Sequence, residues 1–138
     1  MLIRAFRLAD EAAVIALWEA CELIRPWNDP RKDIARKLGE QAEMFLVGEI
    51  NGEVIACVMA GFDGHRGWLN YLAVAPTYQR QSFGRQLVAE AERMLTEYDC
   101  PKLNIQVRTP NLAVLDFYDR LGYVRDDVVS LGKRLITD

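Results

Sequence analysis

The sequence predicts a single α/β domain over residues 1–138, built on a mixed α+β sheet with the element order β-αα-βββ-α-β-α-β. Three observations predict this class. The length of 138 residues is that of one domain, and 51% of the residues are hydrophobic, which is enough for a buried core. Along the chain, segments with helical spacing of apolar residues alternate with short β-prone apolar runs.

The first third of the chain predicts a strand followed by two helices. Residues 2–6 form a short apolar run, and residues 10–24 place apolar side chains at three- and four-residue steps behind Asp10 as N-cap. The segment 25–30 contains two prolines and ends this helix, because proline lacks the amide hydrogen and clashes with the preceding turn. A helical pattern resumes over residues 31–42.

Three antiparallel strands are predicted next. The dipeptide Asn51-Gly52 joins the apolar runs 44–50 and 53–61, and it is typical of a two-residue type I′ turn. A second turn at residues 63–67 leads into a third strand at 68–74. These elements form a meander.

The second half predicts alternating helices and strands. Apolar residues fall on one helical face over 84–98, and 103–107 has the composition of a buried strand. A further helix is predicted over 112–121, with Gly122 as its C-terminal cap, and a last strand over 128–135.

Charge, cysteine and histidine content exclude several classes of function. With 17 Lys and Arg against 20 Asp and Glu, the net charge of −3 gives no basis for binding nucleic acid or an anionic membrane. Cys21, Cys57 and Cys100 include no C-x-x-C pair, and His65 is the one histidine, so we expect no disulfide framework and no metal site. No long apolar segment is present, and we expect a cytoplasmic protein.

Residues 64–89 form the most informative segment. They contain no aspartate or glutamate, include Arg66, Arg80 and Arg85, and read as a strand, a turn and the start of a helix. A helix N-terminus offers unpaired N–H groups, so the segment favours a phosphate or pyrophosphate ligand. An ordinary helix N-terminus with solvated arginines is the alternative. Neither the ATP-binding loop motif nor the Rossmann glycine motif is present.

Two motifs in this half of the chain resemble those of the GCN5-related N-acetyltransferase (GNAT) family. Residues 79–84 (QRQSFG) resemble its acyl-CoA loop, [QR]-x-x-G-x-[GA], with Ser82 in place of the first glycine. Residues 111–123 resemble its second motif, N-x-x-A-x-x-x-Y-x-x-x-G-[FY], with Ala113 one place early. The resemblance covers the whole chain, and four stretches look like the YpeA-type bacterial subgroup: residues 25–30, 63–67, 71–72 and 130–135.

The resemblance implies a GNAT fold with a splayed central sheet. It also implies an N-acetyltransferase that moves an acetyl group from acetyl-CoA to a primary amine, on a small molecule or a peptide N-terminus, by direct attack in a ternary complex. The residues it assigns to acetyl-CoA are Leu72, Ala73, Val74, Gln79, Arg80, Gln81, Ser82, Phe83, Gly84, Arg85, Asn104, Asn111 and Tyr118.

In that assignment the loop acts through its main chain, and a serine at position 82 is tolerated if its φ angle is negative. The hydroxyl of Tyr118 would protonate the departing thiolate. Asn111 would cap its helix and contact the pantetheine arm. Tyr118 as a plain core aromatic is the alternative.

The base and the acceptor site are less defined. The family's glutamate position is occupied by Asn70, and asparagine cannot accept a proton, which leaves a water relay or a carboxylate such as Glu49 or Asp63. His65 is interpreted as a solvated turn residue. The resemblance places the acceptor beside Asn70 and the helix-loop-helix residues Trp27, Asn28 and Asp29.

Two further expectations follow. Asn70 and Ser82 depart from the family pattern, so a catalytically weak acyl-CoA-binding or sensing module is the alternative function. The edge of the C-terminal strand could pair in a homodimer.

Overall fold

Five strands form one mixed sheet in the order β1-β2-β3-β4-β5. They are β1 (Leu2–Ala5), β2 (Phe45–Ile50), β3 (Glu53–Phe62), β4 (Gly67–Val74) and β5 (Leu103–Ile105). The first four pair antiparallel in chain order, and β5 lies parallel to β4. The computed structural model describes residues 1–138, and the chain divides into two units, Met1–Ile105 and Gln106–Asp138. The whole sheet belongs to the first unit.

Four α-helices accompany the strands: α1 (Glu11–Ala20), α2 (Pro30–Leu38), α3 (Phe83–Glu97) and α4 (Leu112–Arg120). The first three belong to the first unit and α4 to the second. The predicted break between α1 and α2 is present, but α1 ends at Ala20, before the predicted end at residue 24. Pro30 is the first residue of α2, and Asp29 caps the helix by accepting a 2.9 Å bond from the amide of Arg31.

The turn between β2 and β3 is the predicted one. Asn51 and Gly52 have φ angles of 52° and 79°, which are the two positive values that a type I′ turn requires. Residues 55–60 of β3 are all buried, so both faces of this central strand are covered. α3 buries Leu87, Val88, Ala91 and Leu95, and the core cluster that includes α1 consists of Phe6, Val14, Leu17, Trp18, Ile34, Phe45, Val47, Cys57, Met59 and Ala73.

The predicted strand over 128–135 does not form. Residues 124–138 contain no helix or strand, and Val128 and Leu131 are 78% and 91% exposed. Within the second unit there is no other strand, and β-prone residues need a neighbouring strand before they form a ladder. The strand edge expected to support a homodimer is therefore absent from this structure. The predicted strand 103–107 is also shorter and ends at Ile105.

No helix of the chain is both long and apolar enough to span a membrane.

Candidate active site

The last two strands of the sheet diverge. Pairing between β4 and β5 ends at Leu69 and Ile105, although β4 continues to Val74. The second half of β4 therefore has no β5 residue beside it, and backbone groups at such an edge can bind an extended ligand. The predicted splay is present, but it begins beyond Ile105, because Asn104 and Ile105 are paired with Trp68 and Leu69.

A β-bulge lies in the open half of β4. Cys57 pairs with Ala73 and Met59 with Asn70, so Tyr71 and Leu72 together face one residue of β3. Tyr71 has a φ angle of 55°, a left-handed conformation that costs a non-glycine residue about 1–2 kcal/mol. Such a conformation persists only where the surroundings hold it.

Contacts from α1, α2 and β3 hold Tyr71 in place. Its ring stacks on the fully buried Trp18 at 3.9 Å between centroids, and its hydroxyl donates to Asp33 Oδ2 at 2.6 Å. The Trp18 indole N–H donates to Cys57 Sγ at 3.2 Å, and that thiol faces the Tyr71 carbonyl. Burial raises the pKa of Cys57 to about 12, so this thiol stays protonated and is not a nucleophile.

The loop after β4 carries two left-handed residues before α3 begins. Arg80 and Ser82 have φ angles of 64° and 67°. Gln79 Nε2 donates to the Val74 carbonyl at 3.0 Å and so fastens the loop to the end of β4. Left-handed residues turn successive amides toward one side, and the first-turn amides of α3 have no partner within the helix. This loop combines the features of an anion-binding site with the exposed side chains of Arg80 and Arg85.

Ser82 does not meet the condition under which serine is tolerated there, because its φ angle is positive. The residue lies at the start of α3, and its side chain makes no capping bond, so nothing local compensates for the left-handed backbone. The family's glycine would adopt this conformation without a steric penalty.

Changing Ser82→Gly should therefore raise the free energy of unfolding by about 0.5–1 kcal/mol, because relief of strain exceeds the entropy lost by glycine. Urea unfolding at constant m-value measures it. Ser82→Ala is the control, since it keeps the β-carbon and the strain. Equal stability of the glycine and alanine variants would show that position 82 is not strained.

The three arginines of the acid-free segment do not form one patch. Arg66 lies in the turn before β4, whereas Arg80 and Arg85 follow its other end. A strand of eight residues spans about 25 Å, so Arg66 cannot share an anion with the other two. Arg66 instead bonds to the carbonyl of exposed His65. Of the groups predicted to contact a phosphate, Arg80, Arg85 and the loop amides therefore remain as candidates, and Arg66 does not.

Neither predicted carboxylate is suited to act as a base. Glu49 lies on β2, which is two strands away from β4 in the sheet. It forms a 3.0 Å ion pair with Arg4 of β1. Asp63 accepts bonds from the amides of Arg66 and His65 at 2.7 and 2.8 Å, and these bonds lower its pKa. A carboxylate with a lowered pKa is a weak proton acceptor.

A cavity of about 290 Å³ lies beside the start of β4. Its walls come from the end of α2, the end of β3 and β4, and include Lys37, Met59, Gly61, Asp63, Trp68 and Asn70. Of the four predicted acceptor residues, Asn70 alone lines this cavity. Trp27 is exposed on the loop between α1 and α2, the Asn28 amide bonds to the Arg25 carbonyl within that loop, and Asp29 caps α2.

Sequence reasoning missed the polar residues that α2 presents to the sheet. Asp33, Lys37 and Gln41 are spaced four residues apart, so the two helical positions share one face, and Gln41 continues the series just beyond α2. Asp33 bonds to Tyr71, and the other two bond to backbone groups near the end of β3. The sequence signal for this polar face was the four-residue spacing of Asp33, Lys37 and Gln41 beside the apolar residue Ile34.

The second unit contains the other family motif. Asn111 caps α4 by accepting from the amide of Val114 at 3.4 Å, as predicted. Tyr118 is 7% exposed and packs edge-on against Phe117 and Tyr123. Burial raises its pKa above the ordinary value, so its hydroxyl stays protonated at neutral pH. Gly122 follows the helix with a φ angle of 90°, as expected for a C-terminal cap.

Solved structures share this fold at low sequence identity. An aminoglycoside 6′-N-acetyltransferase from Acinetobacter haemolyticus aligns with a TM-score of 0.74 at 17% identity, over 99% of this chain and 100% of that one. The ribosomal-protein-S18-alanine N-acetyltransferase from Escherichia coli aligns with a TM-score of 0.72 at 24% identity, over 88% of this chain and 76% of that one.

Sequence relatives lie much closer. An acetyltransferase from Yersinia pestis (strain Pestoides F) is 50% identical over 138 residues, which are 100% of this chain and 98% of the relative. An acetyltransferase from Yersinia enterocolitica is 49% identical over 138 residues, which are again 100% of this chain and 98% of the relative. Residues 12–123, which include both motifs, match the model of the Acetyltransferase (GNAT) family. With a diverging β4–β5 pair, a family model that matches residues 12–123 and relatives of about 50% identity over the whole chain, the chain belongs to the GNAT family of acetyltransferases.

Proposed function

We propose that the protein transfers an acetyl group from acetyl-CoA to a primary amine by direct attack in a ternary complex. The observation that carries the proposal is the open half of β4, which leads directly into the loop of residues 79–84 and the N-terminus of α3. An extended strand edge and the amides at a helix N-terminus suit the two chemically different parts of the cofactor, its peptide-like arm and its pyrophosphate.

The residues of this region fit that cofactor. Leu72, Ala73 and Val74 lie in the unpaired half of β4, where backbone groups would bond to the amides of the pantetheine arm. The loop amides would receive the pyrophosphate, with Arg80 and Arg85 beside them. Bound there, acetyl-CoA supplies an activated acetyl thioester, and GNAT proteins generally use it.

The reaction needs an acid for the leaving group. The amine nitrogen attacks the thioester carbon, the C–S bond breaks, and the sulfur leaves as a thiolate whose conjugate acid has a pKa of about 8.5. Tyr118 is the proposed acid, because its hydroxyl carries a proton at neutral pH and the family's second motif has a tyrosine at this position.

The amine loses its proton without a carboxylate base in this proposal. Asn70 cannot accept the proton, Glu49 is ion-paired, and the lowered pKa of Asp63 makes it a poor acceptor. A water molecule therefore takes the proton. The value of kcat/KM should rise with pH up to the pKa of the amine itself, and a plateau near pH 6–7 would instead reveal a protein base.

Amine-dependent release of the CoA thiol tests the proposed function. The purified protein is incubated with acetyl-CoA and a panel of primary amines, and hydrolysis without amine is subtracted. We expect at least one amine to accelerate thiol release and to be recovered in acetylated form. Binding of acetyl-CoA without acceleration by any amine would favour the acyl-CoA-binding module instead, a function that strained Ser82 and the missing glutamate at position 70 support.

A further inference from the structure

The cavity beside β4 contains a lysine whose hydrogen bonds are incomplete. Lys37 is half-buried, and its ammonium group donates one bond, to the Ala60 carbonyl. An ammonium has three N–H donors, so two of them have no protein acceptor. Glu40 and Glu43 influence Lys37 through their charge, but neither forms an ion pair with it. Burial lowers the pKa of Lys37, which shows that these charges do not offset its desolvation.

Lys37 is only half-buried, and its two remaining N–H groups can bond to a small anion that enters the cavity. An unpaired charge in a desolvated site is unfavourable, and a carboxylate from a ligand would supply the acceptors that Lys37 lacks. Met59, Phe62 and Trp68 give the cavity apolar walls, and its volume is about 290 Å³. The side chains of Glu40 and Asp63 also line it and would attract the ammonium form of an amine.

The cavity is adjacent to the open half of β4. Asn70 lines the cavity, and it is also the first β4 residue after pairing with β5 ends at Leu69. A ligand whose carboxylate bonds to Lys37 would therefore extend toward the part of β4 where the proposed function places the acyl group.

We propose that this cavity binds the acceptor by its carboxylate, so that the substrate class is a small apolar amino acid acetylated on its α-amine. Lys37 is the specificity-determining residue, and the apolar walls hold the side chain. The inference rests on the proposed function for its reaction, but the binding of the amino acid can be measured without acetyl-CoA.

Matched pairs of amines test the carboxylate. L-Leucine, L-methionine and L-phenylalanine are each compared with the corresponding amide, which has the same side chain but no negative charge. We expect kcat/KM to be about 10- to 100-fold higher for the amino acid, the range of a charge-assisted hydrogen bond. The amine of the amide is less basic, so more of it is unprotonated at neutral pH. A preference for the amino acid therefore cannot come from amine basicity.

Variants at Lys37 test whether this residue binds the carboxylate of the substrate. Lys37→Met keeps the length of the side chain and removes its charge, so the preference for the amino acid should disappear through a higher KM. Lys37→Arg should restore part of the preference. Equal effects of Lys37→Met on the amino acid and the amide would overturn the proposal, because a purely structural role would not distinguish them.

A second variant fills part of the cavity and leaves the lysine itself unchanged. A β-carbon at Gly61 would lie 3.6 Å from Lys37 Nζ and 3.5 Å from Gln41 Oε1, which is ordinary contact. Gly61→Ala should therefore fold and raise KM for the amino acid while KM for acetyl-CoA stays unchanged. Gly39→Ala is the matched control, because it adds a methyl group at the C-terminal cap of α2, outside the cavity.

Calorimetry separates the failure of this inference from that of the proposed function. If L-leucine binds in a way that depends on Lys37 but no acetyl transfer is seen, the cavity is an amino-acid-binding site and the proposed reaction is rejected. Acetyl transfer to amines without a carboxylate, unaffected by Lys37→Met, would support the reaction and reject the inference. Failure of all three amino acids to bind would also reject it.

Discussion

Replacing Tyr118 by phenylalanine should lower kcat by about 10²- to 10⁴-fold, the usual contribution of a general acid. The change removes the hydroxyl proton but keeps the ring that packs on Phe117 and Tyr123, so the thermal stability should change little. Steady-state kinetics with acetyl-CoA and a working amine measure the effect. Binding of acetyl-CoA should be nearly unaffected, because the lost interaction acts on the leaving group.

The pH profile of the wild-type enzyme provides a second test of the same residue. The acid works while it is protonated, and burial raises its pKa above the ordinary value of about 10. Activity should therefore not decline as the pH rises from neutral to about 10. Tyr123→Phe is the matched control from the same aromatic cluster and should keep kcat. An unchanged kcat in Tyr118→Phe would make Tyr118 a core aromatic only.

Trp18→Ala should have the largest effect on stability, lowering the free energy of unfolding by about 3–5 kcal/mol. Trp18 is fully buried, stacks on Tyr71 and donates to Cys57, so the truncation leaves a large cavity and removes support from the bulge in β4. Chemical unfolding measures the loss, which is a large part of the 5–15 kcal/mol typical of a domain.

Trp18→Phe separates packing from hydrogen bonding. It keeps an aromatic ring on Tyr71 and loses the indole N–H, so it should cost about 1–2 kcal/mol. A loss below 1 kcal/mol in Trp18→Ala would mean that the stack does not hold the bulge. Where Trp18→Ala remains folded, KM for acetyl-CoA should rise, because the bulge lies in the strand that would bind the cofactor.

Local sequence signals predicted much of the fold. The Asn51-Gly52 turn needs only neighbouring residues and is present in the structure, and α2 starts at Pro30, one residue before its predicted start. The strand predicted over 128–135 failed because a strand depends on a partner that its own residues do not encode. β propensity alone could not supply that partner.

The candidate site was predicted in part. The loop of residues 79–84 and the Asn111 cap were readable from motifs, whereas the left-handed backbone of Ser82 was not, since serine rarely adopts it. The role of Lys37 depends on the carbonyl of Ala60, 23 residues away in the sequence, and on a cavity formed by three elements. Such contacts arise only when the sheet and α2 are assembled.

Titration with acetyl-CoA, followed by thermal and chemical unfolding, measures whether the protein binds this cofactor. Saturating acetyl-CoA should stabilise the wild-type protein, by about 2.7 kcal/mol at 100 times Kd. Gly84→Glu is the control, because a negative charge in the first turn of α3 is tolerated by the helix but repels phosphate. Its stability without ligand should match the wild type, and acetyl-CoA should not raise it. No stabilisation of the wild type at millimolar acetyl-CoA, or equal stabilisation of Gly84→Glu, would show that this loop does not bind acetyl-CoA.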